Sequence, residues 1–292
     1  MILITGATGN VGRPLVGLFV ETGVPFKVFV RDPGRAHGAL GRGVQLVEGD
    51  FAAPASIEGA LGGIDRLFLL SGNPEHEGNV IDAAARSGVG LVVKQSALAA
   101  GLEPPPFHRR IEEKLEKSGL GFTHLRPTAF MQTLAGYLPP LIDAEGVFRL
   151  PAGSGRVAWV DTRDIAAVAF RALTEEGHEG RAYPITGPES RSMAEVAERL
   201  SAATGRQLRY EDAAPGEAHE IMVERRMPPS VADFLITFYG SVRGGQTDFV
   251  TNTVPEVTGD PGRTFDAFAR EHASAFVVAG SKKAIGGSSD SG

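Results

Sequence analysis

The chain contains no cysteine in its 292 residues, which excludes disulfides, thiolate zinc sites, iron–sulfur clusters and a catalytic thiol. It has no apolar run near the length of about 20 residues that spans a bilayer, and its first residues lack a signal-peptide pattern. Its 29 basic residues are outnumbered by 35 acidic ones, so no basic surface for nucleic acid or an anionic membrane is expected. These absences predict a soluble, cytoplasmic protein whose partner is a small molecule.

Motifs of several enzyme classes are also missing. The sequence has no Gly-x-Ser-x-Gly nucleophile elbow and no Gly-Lys phosphate loop, which argues against a hydrolase or an NTPase. Its seven histidines are scattered without the spacing of a ligand cluster, so no metal site is expected.

The first seventeen residues carry the most specific pattern. An apolar run at residues 2–4 is typical of a buried strand, three glycines follow it, and apolar residues then recur at helical spacing. Glycine permits a tight turn and a close approach to a ligand, and the free N–H groups of the new helix attract phosphate. The residues of this turn expected to bind a dinucleotide are Gly6, Thr8, Gly9, Asn10, Val11 and Gly12.

Strands and helices alternate through the first half of the chain. The further strands are predicted at 26–30, 44–48, 66–70, 90–94 and 122–126. The helices between them are predicted at 56–61, capped by Ser56, at 78–87 and at 108–118. This alternation predicts an α/β fold, a Rossmann-type doubly wound parallel sheet with a smaller α+β C-terminal substrate domain.

The domain boundaries follow from where this pattern loosens. Residues 1–128 are predicted to form the nucleotide-binding domain, with segments around 156–186 returning to it. Residues 129–279 are predicted to form mainly the substrate domain and to end in a helix over 263–279. The Gly/Ser-rich stretch 280–292 is expected to be a disordered tail.

Capping residues mark two helices of the second half. Ser192 and Glu195 have the spacing of a capping box, and Gly205 closes that helix. Asp161 and Asp164 can both cap a helix over 165–173, which explains them better than catalysis does.

The residue after the second strand indicates which dinucleotide binds. Arg31 stands first after that strand, where a cation accommodates the 2′-phosphate of NADP(H) and an acidic residue binds the ribose of NAD. NADP(H) is therefore the predicted cofactor. In the alternative, Arg31 is a solvated loop charge and Asp32 is the ribose ligand.

Other predicted cofactor residues follow the remaining strands, because the carboxyl ends of parallel strands meet at one edge of a sheet. The third strand is followed by residues placed for the adenine, the fourth by a loop placed for the pyrophosphate and nicotinamide ribose, and the sixth by a proline. These residues are Asp50, Phe51, Ser71, Gly72 and Pro127.

Five segments together resemble the NmrA-like family, an atypical branch of the short-chain dehydrogenase/reductases, from residue 1 to about residue 276. They are Gly6-Ala-Thr-Gly-Asn-Val-Gly12, Val30-Arg-Asp-Pro33, Gly49-Asp-Phe51, Leu125-Arg-Pro-Thr-Ala-Phe-Met-Gln132 and Val160-Asp-Thr-Arg-Asp-Ile-Ala166. The family includes NADPH-dependent quinone and triphenylmethane-dye reductases and NADP-binding regulators. The resemblance implies that NADP(H) binds the first domain and that substrate binds between the two domains.

The resemblance also nominates catalytic positions. No tyrosine has a lysine four residues on, so the Tyr–Lys pair of ordinary superfamily members is missing. His108 matches the position of a lysine in isoflavone-reductase-like relatives, where it would donate a proton or orient substrate, with Glu112 holding its ring; it is equally a surface histidine. Ser96 matches a substrate-orienting serine, and Lys94 either contacts the cofactor or ends a strand.

Bulky apolar residues suggest an apolar or aromatic substrate, although each is individually more typical of core. The nominated pocket residues are Phe130, Met131, Tyr137 and Trp159, with Met222, Met227, Phe234 and Phe238 from the second domain. The function predicted is an NADPH-dependent oxidoreductase reducing a quinone, enone or related apolar conjugated substrate, since delocalised charge lessens the need for a strong acid. The alternatives are an NADP-binding redox sensor without turnover and a non-redox enzyme on the same fold.

Overall fold

The computed structural model describes residues 1–98 and 105–277. Its strands are β1 (Ile2–Ile4), β2 (Phe26–Val30), β3 (Leu46–Glu48), β4 (Arg66–Leu69), β5 (Leu91–Gln95), β6 (Gly121–Pro127), β7 (Val147–Leu150), β8 (Arg156–Val157), β9 (Arg181–Ile185), β10 (Arg191–Ser192) and β11 (Arg209–Asp212). Seven of these strands form one parallel sheet in the order β3-β2-β1-β4-β5-β6-β9. The strand order therefore reverses between β1 and β4.

The described residues form twelve α-helices, some of which cover the two faces of this sheet. They are α1 (Gly12–Thr22), α2 (Pro33–Leu40), α3 (Pro54–Leu61), α4 (Pro74–Ser87), α5 (Pro106–Glu116), α6 (Met131–Tyr137), α7 (Thr162–Thr174), α8 (Met193–Thr204), α9 (Pro215–Glu224), α10 (Pro229–Arg243), α11 (Thr253–Thr258) and α12 (Phe265–Glu271), with 3-10 turns at Pro139–Leu141 and Ala273–Phe276. One core lies between the sheet and α1 with α7, and a second lies between the sheet and α3, α4 and α5. The predicted Rossmann-type doubly wound fold is confirmed.

A third apolar core builds a smaller unit from α6, β7, α8, α9, α10 and α12. In this unit β7 pairs with β11 in parallel and β8 pairs with β10 antiparallel. The chain returns to the large sheet in between, because β9 pairs with β6 and α7 packs against α1. The returning stretch consists of α7 and β9.

Two helix starts at the edge of the sheet differ from the prediction. The helix α2 was not expected, and it begins at Asp32, whose carboxylate accepts from the Arg35 N–H at 2.9 Å. The helix α4 begins four residues early because Asn73 Oδ1 accepts from the N–H groups of Glu75 and His76. Both starts carry a cap residue followed by proline, a signal present in the sequence.

Of the other predicted helix caps, some are confirmed and others are wrong. Ser192 and Glu195 form the predicted capping box, and Asp161 caps α7. Asp164 does not cap; its carboxylate accepts from the backbone and guanidinium of Arg263, which lies 99 residues away. Ser56 is also wrong as a cap, because its hydroxyl bonds the backbone of residues 50 and 53 inside the preceding loop.

The final helix is shorter than the predicted 263–279. It ends at Glu271, where His272 leaves helical geometry with φ −108°, and a 3-10 turn follows. The predicted disorder of 280–292 lies outside the described residues. Within the described ranges, none of the helices has the length and apolar character needed to cross a membrane.

Candidate active site

The glycine turn after β1 is shaped by close backbone contacts. Gly6 has φ +64°, and a Cβ there would lie 2.7 Å from the Leu70 carbonyl oxygen at the end of β4. A Cβ on Gly12 would lie 2.2 Å from the Gly6 carbonyl oxygen. Both distances exclude a side chain, so these glycines let β1, α1 and β4 meet closely enough to leave a cradle above them.

A cleft of about 580 Å³ opens over this cradle, where β1 to β4 end. It lies at the point where the strand order reverses, which is where open α/β sheets bind their ligands. Its lining residues are Gly6, Ala7, Thr8, Gly9, Phe29, Val30, Arg31, Asp32, Arg35, Ala36, Gly49, Asp50, Phe51, Leu70, Ser71, Gly72, Asn73 and His76.

Most of the predicted cofactor residues line this cleft. The eight that do are Gly6, Thr8, Gly9, Arg31, Asp50, Phe51, Ser71 and Gly72. Asn10 is exposed beside it, whereas Val11 and Gly12 are buried where α1 packs on the sheet. Pro127 is buried at the end of β6, where its carbonyl accepts from the Leu98 N–H. Asn10, Val11 and Gly12 are therefore neighbours or supports of the cleft wall, whereas Pro127 lies two strands beyond β4.

Two arginines mark one end of the cleft. Arg31 and Arg35 are both exposed and both line it. Asp32, the alternative ribose ligand, uses one carboxylate oxygen to cap α2. Sequence reasoning missed Arg35 because it missed α2, although the Asp32-Pro33 start places Arg35 in the first turn of that helix.

Aromatic rings face each other beside these arginines. Phe51 packs against Phe29 with ring centroids 4.9 Å apart and stacks with His76 at 5.8 Å and 25°. A flat apolar base fits against such rings. His76 was also missed, since it comes from α4 and meets Phe51 only in the folded chain.

The predicted catalytic residues lie apart from this lining, near the end of β5 and the start of α5. Ser96 is buried, and its N–H donates to the Leu125 carbonyl at 2.7 Å. His108 is half-buried. Burial, and then the Lys94 ammonium, lower the pKa of His108 to about 4 against the opposing effect of Glu112. His108 is therefore neutral at pH 7.

Glu112 does not hold the His108 ring as the sequence suggested. Its carboxylate accepts from Arg126 at 3.0 and 2.7 Å and from Arg109 at 3.1 Å. Burial opposes ionisation, but the hydrogen bonds from Arg126 lower the pKa of Glu112 to about 2. The carboxylate is thus committed to two guanidinium groups.

Lys94 neither lines the cleft nor simply ends a strand. Its side chain is completely buried, and its ammonium lies 3.1 Å from the Glu77 carboxylate. The polar environment between β5, α4 and α5 is therefore built around a buried ion pair that the sequence pattern did not reveal.

The nominated pocket residues lie mostly in core. Met131, Tyr137 and Trp159 are buried in the core of the smaller unit, and the Tyr137 hydroxyl pairs with that of Tyr239. Phe130 packs on the edge of the first core. A separate small cavity between the sheet and the smaller unit is lined by Leu98, Thr128, Ala129, Val157, Phe238, Thr247 and Phe249, so that Phe238 alone of the nominated residues lines it.

The described residues include one group with the spacing of metal ligands, Glu112, Glu116 and His124. Arg109 forms hydrogen bonds of 2.9 Å with each oxygen of Glu116, and Arg126 binds Glu112. Because these cations already neutralise both carboxylates, the group fits a divalent ion poorly.

Comparison with known proteins gives consistent results. The chain matches the NmrA-like family over residues 1–249. It is 40% identical to the NAD(P)H azoreductase of Xenophilus azovorans, covering 96% of this chain and all of that protein. It is 38% identical to (4-alkanoyl-5-oxo-2,5-dihydrofuran-3-yl)methyl phosphate reductase of Streptomyces griseus, covering 95% and 99%. The NADPH-dependent quinone oxidoreductase of Escherichia coli, solved with NADPH, matches with a TM-score of 0.86 at 27% identity, covering 93% and 99%.

Proposed function

The chain belongs to the NmrA-like family and is an NAD(P)H-dependent oxidoreductase, and we propose that it uses NADPH to reduce a quinone, enone or related apolar conjugated acceptor. The observation that carries this proposal is the cleft at the strand-order reversal, with a glycine cradle at one end and two arginines at the other. Similarity to an azoreductase and to a quinone oxidoreductase supports the acceptor class.

The arginine pair supports NADPH over NADH. Arg31 and Arg35 place two cations at the end of β2, where a 2′-phosphate would lie. Asp32 uses one carboxylate oxygen to cap α2, and the two arginines beside it favour a phosphate over a ribose hydroxyl in this part of the cleft. Phe51 and His76 would hold the adenine, and Gly6 to Gly9 the pyrophosphate.

Bound NADPH supplies a hydride. The role of the protein in the reaction is to orient the acceptor and to exclude water. Leu98, Phe238 and Phe249 form an apolar wall between the sheet and the smaller unit, against which the acceptor would lie, since the cavity itself is too small to enclose a ring. His108 is neutral at pH 7 and lines neither the cleft nor the small cavity, so the proton that completes the reduction would come from water, which suffices because the charge on a conjugated acceptor is delocalised.

Turnover distinguishes this function from its alternatives. The assay follows the near-ultraviolet absorbance of NADPH with a panel of quinones, enones and azo dyes, and with NADH as the matched donor. We expect NADPH consumption that depends on the acceptor and exceeds that with NADH. Tight NADPH binding with no turnover of any acceptor would favour a redox sensor instead.

A further inference from the structure

The ion pair of Lys94 and Glu77 is unusual because both side chains are fully enclosed. Lys94 on β5 is 0% exposed and Glu77 on α4 is 1% exposed. Burial lowers the pKa of the Lys94 ammonium, and the Glu77 carboxylate opposes that shift. Replacing a buried ion pair by apolar residues is often neutral or stabilising, so fold stability does not explain the presence of this one.

The two oxygens of Glu77 have different neighbours. Oε2 lies 3.1 Å from the Lys94 ammonium and has no hydrogen-bond partner among the described residues. Oε1 accepts from the Ser71 backbone N–H at 3.2 Å. The Lys94 ammonium also donates to the Gln95 carbonyl at 2.8 Å, which fixes it on its strand. One carboxylate therefore connects the interior of the sheet to the loop after β4.

That loop forms one wall of the cleft. Ser71, Gly72 and Asn73 line it, and Asn73 begins the helix that carries Glu77. The contact from Glu77 to Ser71 closes this short segment on itself. Without Lys94, Glu77 would be an uncompensated buried charge, which is unfavourable and is relieved when the carboxylate turns away from the interior.

We propose that Lys94 is a positioning residue for cofactor binding: its ion pair holds Glu77 in the orientation that fixes the Ser71 N–H and hence the loop against the bound dinucleotide. This inference rests on the proposal that the cleft binds NADPH. Lys94 itself does not line the cleft.

The test compares K94M with K94M/E77Q. Methionine fills the volume of the lysine, and glutamine keeps an oxygen for the Ser71 N–H without needing a cation. We expect K94M to weaken NADPH binding about tenfold and to speed hydrogen exchange of the Ser71 amide, because about one hydrogen bond is lost. Adding E77Q should restore both to within about twofold of the wild type.

D164N is the matched control, because Asp164 is also a buried carboxylate paired with an arginine but lies away from the cleft. It should lower the melting temperature while leaving both readouts unchanged. The proposal is overturned if K94M lowers only the melting temperature, as D164N does. It is also overturned if K94M/E77Q binds NADPH as weakly as K94M and its Ser71 amide exchanges as fast.

A second pair of variants serves if K94M does not fold. Both K94M/E77Q and K94M/E77L lack a charge at positions 77 and 94. Only K94M/E77Q keeps a side-chain oxygen that can accept from the Ser71 N–H. We expect the leucine variant to bind NADPH about tenfold more weakly, and equal affinities would refute the proposal. Exchange of the Ser71 amide needs no cofactor, so it tests Lys94 even if the wild type binds no NADPH and the proposed function fails.

Discussion

At the scale of single residues, position relative to the sheet edge separates binding residues from supporting ones. Arg31 and Arg35 lie at the cleft with exposed side chains, whereas Val11 and Gly12 come from the same glycine motif as Gly9 but are buried. The exposed cations can meet a phosphate, and the buried residues keep the cradle in shape. Substitutions at the two kinds of position should therefore have different signatures.

R31A should weaken NADPH binding by about tenfold to a hundredfold, because a charge-assisted hydrogen bond contributes about 1.5 to 3 kcal/mol. NADH, which lacks the 2′-phosphate, should bind almost as before. R31A/R35A should lower NADPH affinity further. Fluorescence titration measures the dissociation constants of NADPH and NADH for each variant.

R225A is the control, since Arg225 is an exposed arginine at the end of α9 in the smaller unit. It should change neither affinity. Equal losses for NADPH and NADH in R31A would contradict the assignment of the 2′-phosphate.

His108 should make the protein less stable in acid. Its pKa of about 4 in the folded chain lies below the ordinary 6.5 of the unfolded one. Between these values the unfolded chain binds more protons, so the free energy of unfolding falls as the pH falls through this window. H108Q should lose that part of the pH dependence in urea titrations from pH 7.5 to pH 4. If the difference in free energy of unfolding between the wild type and H108Q stayed constant with pH, this prediction would be wrong.

At the scale of elements, helix starts decide the shape of the cleft. The helices α2 and α4 both begin at its rim, with Asp32 and Asn73 as their caps. Each cap sets the direction in which the chain leaves the strand. We therefore expect capping here to affect ligand binding as well as helix stability.

Two capping variants separate these effects. N73A and S192A should each destabilise the protein by about 1 kcal/mol. N73A should also lower NADPH affinity several-fold, because Asn73 lines the cleft, while S192A should leave it unchanged, because Ser192 caps α8 in the smaller unit. Denaturant midpoints and NADPH titrations measure the two quantities, and an S192A protein that loses as much affinity as N73A would refute the distinction.

At the scale of the whole molecule, the two units share the chain in a way that couples them. The chain leaves the sheet after β6, builds part of the smaller unit, and returns as α7 and β9. The Asp164–Arg263 pair adds a contact between α7 and the segment before α12. Because the chain passes between the units more than once, we expect neither unit to unfold without the other.

Thermal unfolding should therefore show one transition. The chain's single tryptophan, Trp159, is buried in the smaller unit, so its fluorescence reports that unit while circular dichroism reports the whole chain. The two curves should coincide. NADPH at 100 times its Kd should add about 2.7 kcal/mol and raise both midpoints by about 4 to 5 °C. Separate midpoints, or a cofactor shift in only one signal, would contradict this coupling.

The sequence alone determined the features that depend on local pattern. Apolar strands alternating with helices set the sheet, and the glycine turn and Arg31 predicted residues that line the cleft, because turns and strand ends depend on neighbouring residues. The tertiary structure decided what depends on distant partners: the stacking of His76 on Phe51, the enclosure of Lys94 with Glu77, and the packing of Met131, Tyr137 and Trp159 into core. Burial and ion pairing are properties of residues brought together by folding, so they have no signature in the sequence spacing of any one of them.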